Sequence, residues 1–134
     1  MLKRIDHVSI AVKNVDECVD FFQRMFNAKV GYRETSEKYQ NKVAFLEIGD
    51  GLVELQQGLD PAAGVGKFVA QNGEGPHHIC FEVENIREAL STLQRQGIEL
   101  IDREPKPAAY KKEIAFVTKV NGILIQFCAR VKQD

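Results

Sequence analysis

The chain has 134 residues, 44% hydrophobic and 28% charged, which is the length and balance of one globular domain able to bury a sizeable core. A formal net charge of -1 excludes a large positive field, and with it sequence-independent attraction to nucleic acid or to an anionic membrane surface. No segment approaches the roughly 18 consecutive apolar residues of a membrane span, and MLKRIDHVSIAV lacks the apolar core of a signal peptide, so the expected location is the cytoplasm.

Residues 4–12 alternate, with Val8, Ile10 and Val12 on one face and His7, Ser9 and Ala11 on the other, which predicts a strand. Asn14 or Asp16 can cap a helix of about 12 residues in which Val15, Cys18, Val19, Phe22 and Phe26 recur at three- and four-residue spacing. Extended segments follow near 30–35, 42–49 and 51–56, the last two joined by a hairpin turn at Gly49, Asp50 and Gly51. This is a βαβββ unit. The Gly-rich stretch 58–75, with a short helical piece near 65–71, reads as a linker. A second unit repeats the order: a strand at 77–83, a helix at 86–96 ended by Gly97, and strands near 98–103, 113–119 and 122–129, the last pair joined at Asn121 and Gly122.

The repeat is visible in the letters themselves. IDHVSIAVKNVDECVDFF (5–22) matches PHHICFEVENIREALSTL (76–93) without a gap, at an offset of 71 that superposes His7 on His78 and Asn14 on Asn85. GLVEL at 51–55 echoes GILIQF at 122–127 and sets Glu54 against Gln126. The expected fold is therefore α+β: two βαβββ modules, about 1–57 and 76–134, side by side in a curved, partly open, barrel-like mixed sheet, the whole chain 1–134 being one domain.

Strand alternation decides which side chains share a face. If Ile79, Phe81 and Val83 pack on the second helix, then His78, Cys80 and Glu82 face the other way, matching His7, Ser9 and Ala11. By the same logic Glu54 lies with Leu52 and Gln56, and Gln126 with Leu124 and Cys128. His77 points away from His78 and is expected to make a strand-edge hydrogen bond. His7, Glu54, His78 and Gln126 are thus candidate ligands at repeat-related positions. Two imidazoles, a carboxylate and an amide oxygen form a mixed N/O set suited to Zn, Ni, Co, Fe(II) or Mn, without naming the ion. Cys18, Cys80 and Cys128 are odd in number and lack a close pair; they read as small apolar residues rather than a disulfide framework or a thiolate zinc site.

A paired βαβββ chain that begins IDHV, opens its second half with GPHHICFEV and ends near GILIQF resembles the vicinal oxygen chelate superfamily over its whole length. That superfamily includes glyoxalase I, the extradiol dioxygenases and the bleomycin and fosfomycin resistance proteins. Within it the chain is most similar to the methylmalonyl-CoA epimerases, through IDHVSIAV, KVAFLEIGDGLVELQQ, the PHHICFEVENI block and GIELIDREPKP followed by KKEIAFV. The resemblance implies the same four metal ligands, His7, Glu54, His78 and Gln126. It implies a metal-dependent isomerase that abstracts a proton alpha to a thioester through a metal-bound enediolate, a small-molecule substrate such as an acyl-CoA, and a homodimer. Glyoxalase I (lactoylglutathione lyase), acting on a glutathione hemithioacetal, and a non-catalytic binding protein of the resistance type are the alternatives.

The chain departs from the epimerase pattern in three places. Family members usually carry glutamate where Gln126 stands, KPAAYKKE lacks their glycine-rich run, and FVTKVNG replaces FLHP. Because an amide takes no proton near neutral pH, the pseudo-symmetric exchange of carboxylate and amide assigns the base to Glu54. Glu47, Glu82 and Glu113 are candidates for a second acid or base. Lys106, Lys111 and Lys112 form a basic loop that would meet CoA phosphates or remain solvated. Phe45 and Phe116 stand at equivalent core positions, and Tyr110 lies near a possible entrance.

Overall fold

The alternation of Val8 and Ile10 with His7 and Ser9 produces β1 (Leu2–Ala11), and Asn14 then starts α1 (Val15–Phe26). These and the elements that follow come from a computed structural model describing residues 1–132. Three strands complete the first βαβββ run: β2 (Lys29–Ser36), β3 (Asn41–Ile48) and β4 (Gly51–Gly58). After α2 (Gly64–Asn72) come β5 (Gly75–Val83), α3 (Ile86–Arg95), β6 (Lys106–Ala108), β7 (Lys112–Val120) and β8 (Ile123–Arg130). Among the described residues this is an α+β fold of eight strands and three α-helices. None of the helices is long and apolar enough to cross a membrane.

The chain divides into two units, and β1 serves both. The first unit runs from His7 to His77 and carries strands in the order β2-β3-β4-β1, with β1 parallel to β4 and the other pairs antiparallel. The second unit takes Met1–Asp6 together with the chain from His78 onward, and carries β5-β8-β7-β6, with β5 parallel to β8. Each unit has its own core under its own helix. In the first, Val12, Val15, Val19, Ala44, Leu46 and Leu55 are buried together, with Ile10, Phe22 and Val53 packed against them. In the second, Val83, Ile86, Ala89, Leu90, Ala115, Val117, Phe127 and Ala129 are buried, flanked by Phe81 and Ile125. Burying a side chain of the Val, Leu or Phe class contributes about 1.5–3 kcal/mol, so these two clusters outweigh any surface contact in holding each sheet to its helix.

The helices begin in the same way. The Asn14 side-chain oxygen accepts the Glu17 backbone N–H, and the Asn85 oxygen accepts that of Glu88, both at 3.0 Å. Each cap satisfies one of the orphan donors of a helix start. Asn14→Ala and Asn85→Ala are each expected to lower stability by about 1 kcal/mol, and by similar amounts, because the two caps are copies of one device. The midpoint of urea unfolding measures both.

One element lies elsewhere than its apolar pattern suggests. The sixth strand was expected near 98–103, and the regular ladder instead forms at 106–108. Ile101 and Asp102 do donate to the Val117 and Phe116 carbonyls, each at 2.9 Å, but the next bond is made by a side chain: Asp102 Oδ2 accepts the Phe116 N–H at 2.8 Å. That substitution ends the pairing, and Pro105, which has no N–H, keeps it from resuming until Lys106 faces Ile114. α2 sits close over the end of β4 because both contacting residues are glycines. A Cβ on Gly58 would fall 2.1 Å from the Gly66 backbone, and one on Gly66 would fall 2.1 Å from the Asp60 carbonyl oxygen.

Candidate functional site

In the first unit three adjacent strands set one row of side chains. Ser9 on β1 is in register with Glu54 on β4, which is in turn opposite Phe45 on β3. His7 lies two residues before Ser9 and therefore on the same face. Its Nε2 is 3.9 Å from Glu54 Oε1, longer than a hydrogen bond and within the span of two donors that each bind one ion at about 2 Å. The imidazole is 4% exposed. The Phe45 ring stands perpendicular to it, with centroids 5.7 Å apart. Gln56, the next residue on this face of β4, donates from Nε2 to Ser9 Oγ at 2.7 Å, which fixes the floor of the row. On the other face, Val53 and Leu55 enter the core beneath α1.

The second unit reproduces this arrangement. Cys80 on β5 is in register with Gln126 on β8, which lies opposite Phe116 on β7. The rows Ser9–Glu54–Phe45 and Cys80–Gln126–Phe116 are therefore equivalent members of the repeat. His78 lies two residues before Cys80, is 3% exposed, and meets the Phe116 ring at 89° with centroids 5.2 Å apart. Gln126 is also 3% exposed, and its Oε1 has no hydrogen-bond partner. A buried acceptor left in that condition costs about 1–3 kcal/mol unless something else satisfies it. An oxygen donor facing a cation would do so, and the residues of each half thus fit a divalent ion.

His77 belongs to the first unit, where its ring lies 4.8 Å from that of Phe68 on α2. The candidate second acids are tied into ion pairs: Glu47 lies 3.7 Å from Lys29, Glu113 is 3.2 Å from Arg87, and Glu82 accepts from Arg4 at 3.2 Å. Lys106 is held 3.7 Å from Asp102 and lies over the Phe116 ring. Tyr110 and Lys111 form a turn with φ of 61° and 55°, left-handed values that a residue with a side chain seldom adopts.

Lys112 departs from the basic-loop expectation. It is 8% exposed, and its Nζ donates to the carboxylate of Asp6, which is 1% exposed. Arg4 also reaches Asp6, at 3.2 Å, and links it to Glu82. Strand alternation gave no sign of this, since it places Asp6 on the face opposite His7; the signal available was a pair of charged residues, Arg4 and Asp6, on one face inside a strand. Cys80 and Cys128 lie beside Asp6. Burial pushes the Cys80 thiol far above its ordinary value, with the Cys128 thiol adding to the rise, so Cys80 supplies no thiolate. With Lys112 already on Asp6, this group is an ion-paired core rather than a metal site. Cys18 is half-buried, and burial followed by the nearby Glu74 raises its thiol as well.

The sequence profile of the glyoxalase/bleomycin resistance protein/dioxygenase superfamily matches residues 6–116. The uncharacterized protein YqjC of Bacillus subtilis (strain 168) is 33% identical over 129 residues, covering 95% of this chain and 92% of its own. The mitochondrial methylmalonyl-CoA epimerase of Dictyostelium discoideum is 29% identical over 126 residues, covering 92% of this chain and 76% of its own. Among solved structures, a variant of Streptomyces coelicolor methylmalonyl-CoA epimerase in complex with 2-nitronate-propionyl-CoA is similar with a TM-score of 0.91 at 27% identity, covering 97% of this chain and 96% of that one.

Proposed function

Since the chain belongs to the glyoxalase/bleomycin resistance protein/dioxygenase superfamily, we propose that it is a metal-dependent isomerase of the epimerase kind, removing a proton alpha to a thioester carbonyl. The metal ligands in this reading are His7, Glu54, His78 and Gln126, one imidazole and one oxygen donor from each half. The observation that carries it is the equivalence of the two rows, each placing a buried histidine two residues from a strand position that faces the oxygen donor. The buried Gln126 Oε1 supports it independently.

A divalent ion held there would polarise two neighbouring oxygens of the substrate and stabilise negative charge as the adjacent proton leaves. The residues do the rest. His7 and His78 supply neutral nitrogen donors, Gln126 supplies a neutral oxygen, and Glu54 supplies the only carboxylate of the set. Glu54 therefore has both the ligand charge and the basicity to take the proton. The substrate is an acyl-CoA thioester, in keeping with the relatives; the protein works as a homodimer in the cytoplasm, and residues 1–134 act as one domain.

The amide at position 126 favours one competing reading, a metal-bearing binding protein without turnover. Metal analysis of the purified chain followed by exchange assays separates the possibilities. The proposal expects about one divalent ion per chain and metal-dependent incorporation of solvent deuterium at the alpha carbon of methylmalonyl-CoA. Turnover of methylglyoxal with glutathione in place of that exchange would identify a lactoylglutathione lyase. Metal and ligand binding without either reaction would identify the binding protein, and a chain without metal would discard the site.

A further inference from the structure

We infer that Phe45 and Phe116 are a matched pair of positioning residues, each fixing the ring plane of one metal-binding histidine; this rests on the metal reading above. Three observations converge on them. Both rings stand perpendicular to the repeat-related histidine of their own half, at 90° for Phe45 on His7 and 89° for Phe116 on His78. Both are the direct cross-strand neighbours of the oxygen donor of that half, Glu54 and Gln126. Both follow their histidine by 38 residues, so the repeat has preserved the pairing along with the donors.

Geometry gives the role its content. A histidine donates to a metal only when its ring plane contains the ion, and a half-turn about the Cβ–Cγ bond exchanges Nε2 for a carbon. A perpendicular phenyl ring at 5–6 Å is a favourable edge contact in one orientation of the imidazole and an obstacle to its rotation. The phenyl groups are themselves held. Tyr32 lies against Phe45 with centroids 6.3 Å apart. Lys106 places its ammonium 5.6 Å from the Phe116 ring centre, while Asp102 binds the Phe116 backbone N–H. Each wedge therefore sits between an imidazole and a second restraint, against the histidine and across the strand from the oxygen donor of its half, without being a ligand. The device asks nothing of the substrate, and its effect falls on the affinity and symmetry of the metal site.

The test uses the full chain and Co(II) as the probe, read through its visible absorption and through competition with Zn(II). Phe45→Leu and Phe116→Leu keep apolar bulk and lose the flat ring, whereas Phe45→Tyr and Phe116→Tyr keep the ring. The leucine variants are expected to bind Co(II) about 10- to 100-fold more weakly, with altered band positions, and the tyrosine variants to keep both close to wild type. Thermal unfolding of the same samples separates this from packing: a purely structural role lowers the melting temperature and leaves Co(II) affinity and spectrum unchanged, which would overturn the inference. A wild-type chain that takes up no Co(II) overturns the metal reading, and this inference with it. Wild-type uptake with unaltered leucine variants overturns only the positioning role.

Discussion

Glu54→Gln is expected to slow alpha-proton exchange by about 10²–10⁴-fold while the metal remains bound. The substitution is isosteric and retains an oxygen donor, so it removes basicity with little change of shape. Its severity follows from the composition of the row. Glu54 is in register with Ser9 and opposite Phe45, neither of which takes a proton near neutral pH, and the repeat-related position holds the amide of Gln126. No second carboxylate in either row replaces it. The informative companion is the exchanged pair, Glu54→Gln with Gln126→Glu, which preserves the ligand charge and moves the base to the other half. Exchange is expected to return in that double variant, with the proton removed from the opposite face of the substrate. Deuterium incorporation measured beside metal content decides the matter, and full activity in the single variant discards Glu54 as the base.

The repeat makes most of the architecture legible in the amino-acid sequence. Two stretches in matching register locate β1 and β5, although β1 begins ahead of the matched stretch, at Leu2, and strand alternation assigns the faces. Val53, Leu55, Phe81 and Phe127 do lie in or against the helix-covered cores, while Ser9 and Gln56 bond to one another on the other side. The misplaced sixth strand shows the limit of apolar pattern. Ile98, Leu100 and Ile101 make the segment apolar enough to suggest pairing, but a side-chain acceptor on Asp102 and the missing N–H of Pro105 decide where the ladder runs. Phe45 and Phe116 were readable as equivalent core residues, yet their perpendicular approach to His7 and His78 depends on ring orientation, which sequence spacing does not encode.

Asp6→Asn is expected to be the most destabilising single change, at about 3–5 kcal/mol, and it concerns the feature least visible in the sequence. β1 divides its residues between two units, so consecutive polar residues are both buried: His7 toward Glu54, and Asp6 toward Lys112, 106 positions further along. The ends of this pair are nearly inaccessible, with side-chain exposures of 1% for Asp6 and 10% for Lys112. Water therefore cannot take over when the carboxylate is lost. Asparagine keeps the volume but leaves an ammonium buried next to Arg4, whose own attraction to Asp6 disappears in the same step. The magnitude should thus reflect a stranded charge more than a lost contact, and a second substitution can separate the two. Asp6→Asn with Lys112→Met removes the stranded ammonium and is expected to recover most of the loss, because replacing both members of a buried pair is far less damaging than breaking it. Urea unfolding of the two single variants and the double variant yields the coupling directly. A loss below about 1 kcal/mol in Asp6→Asn, or a double variant as unstable as the sum of the singles, would show that the pair is solvated and that the second unit is held by its apolar core alone.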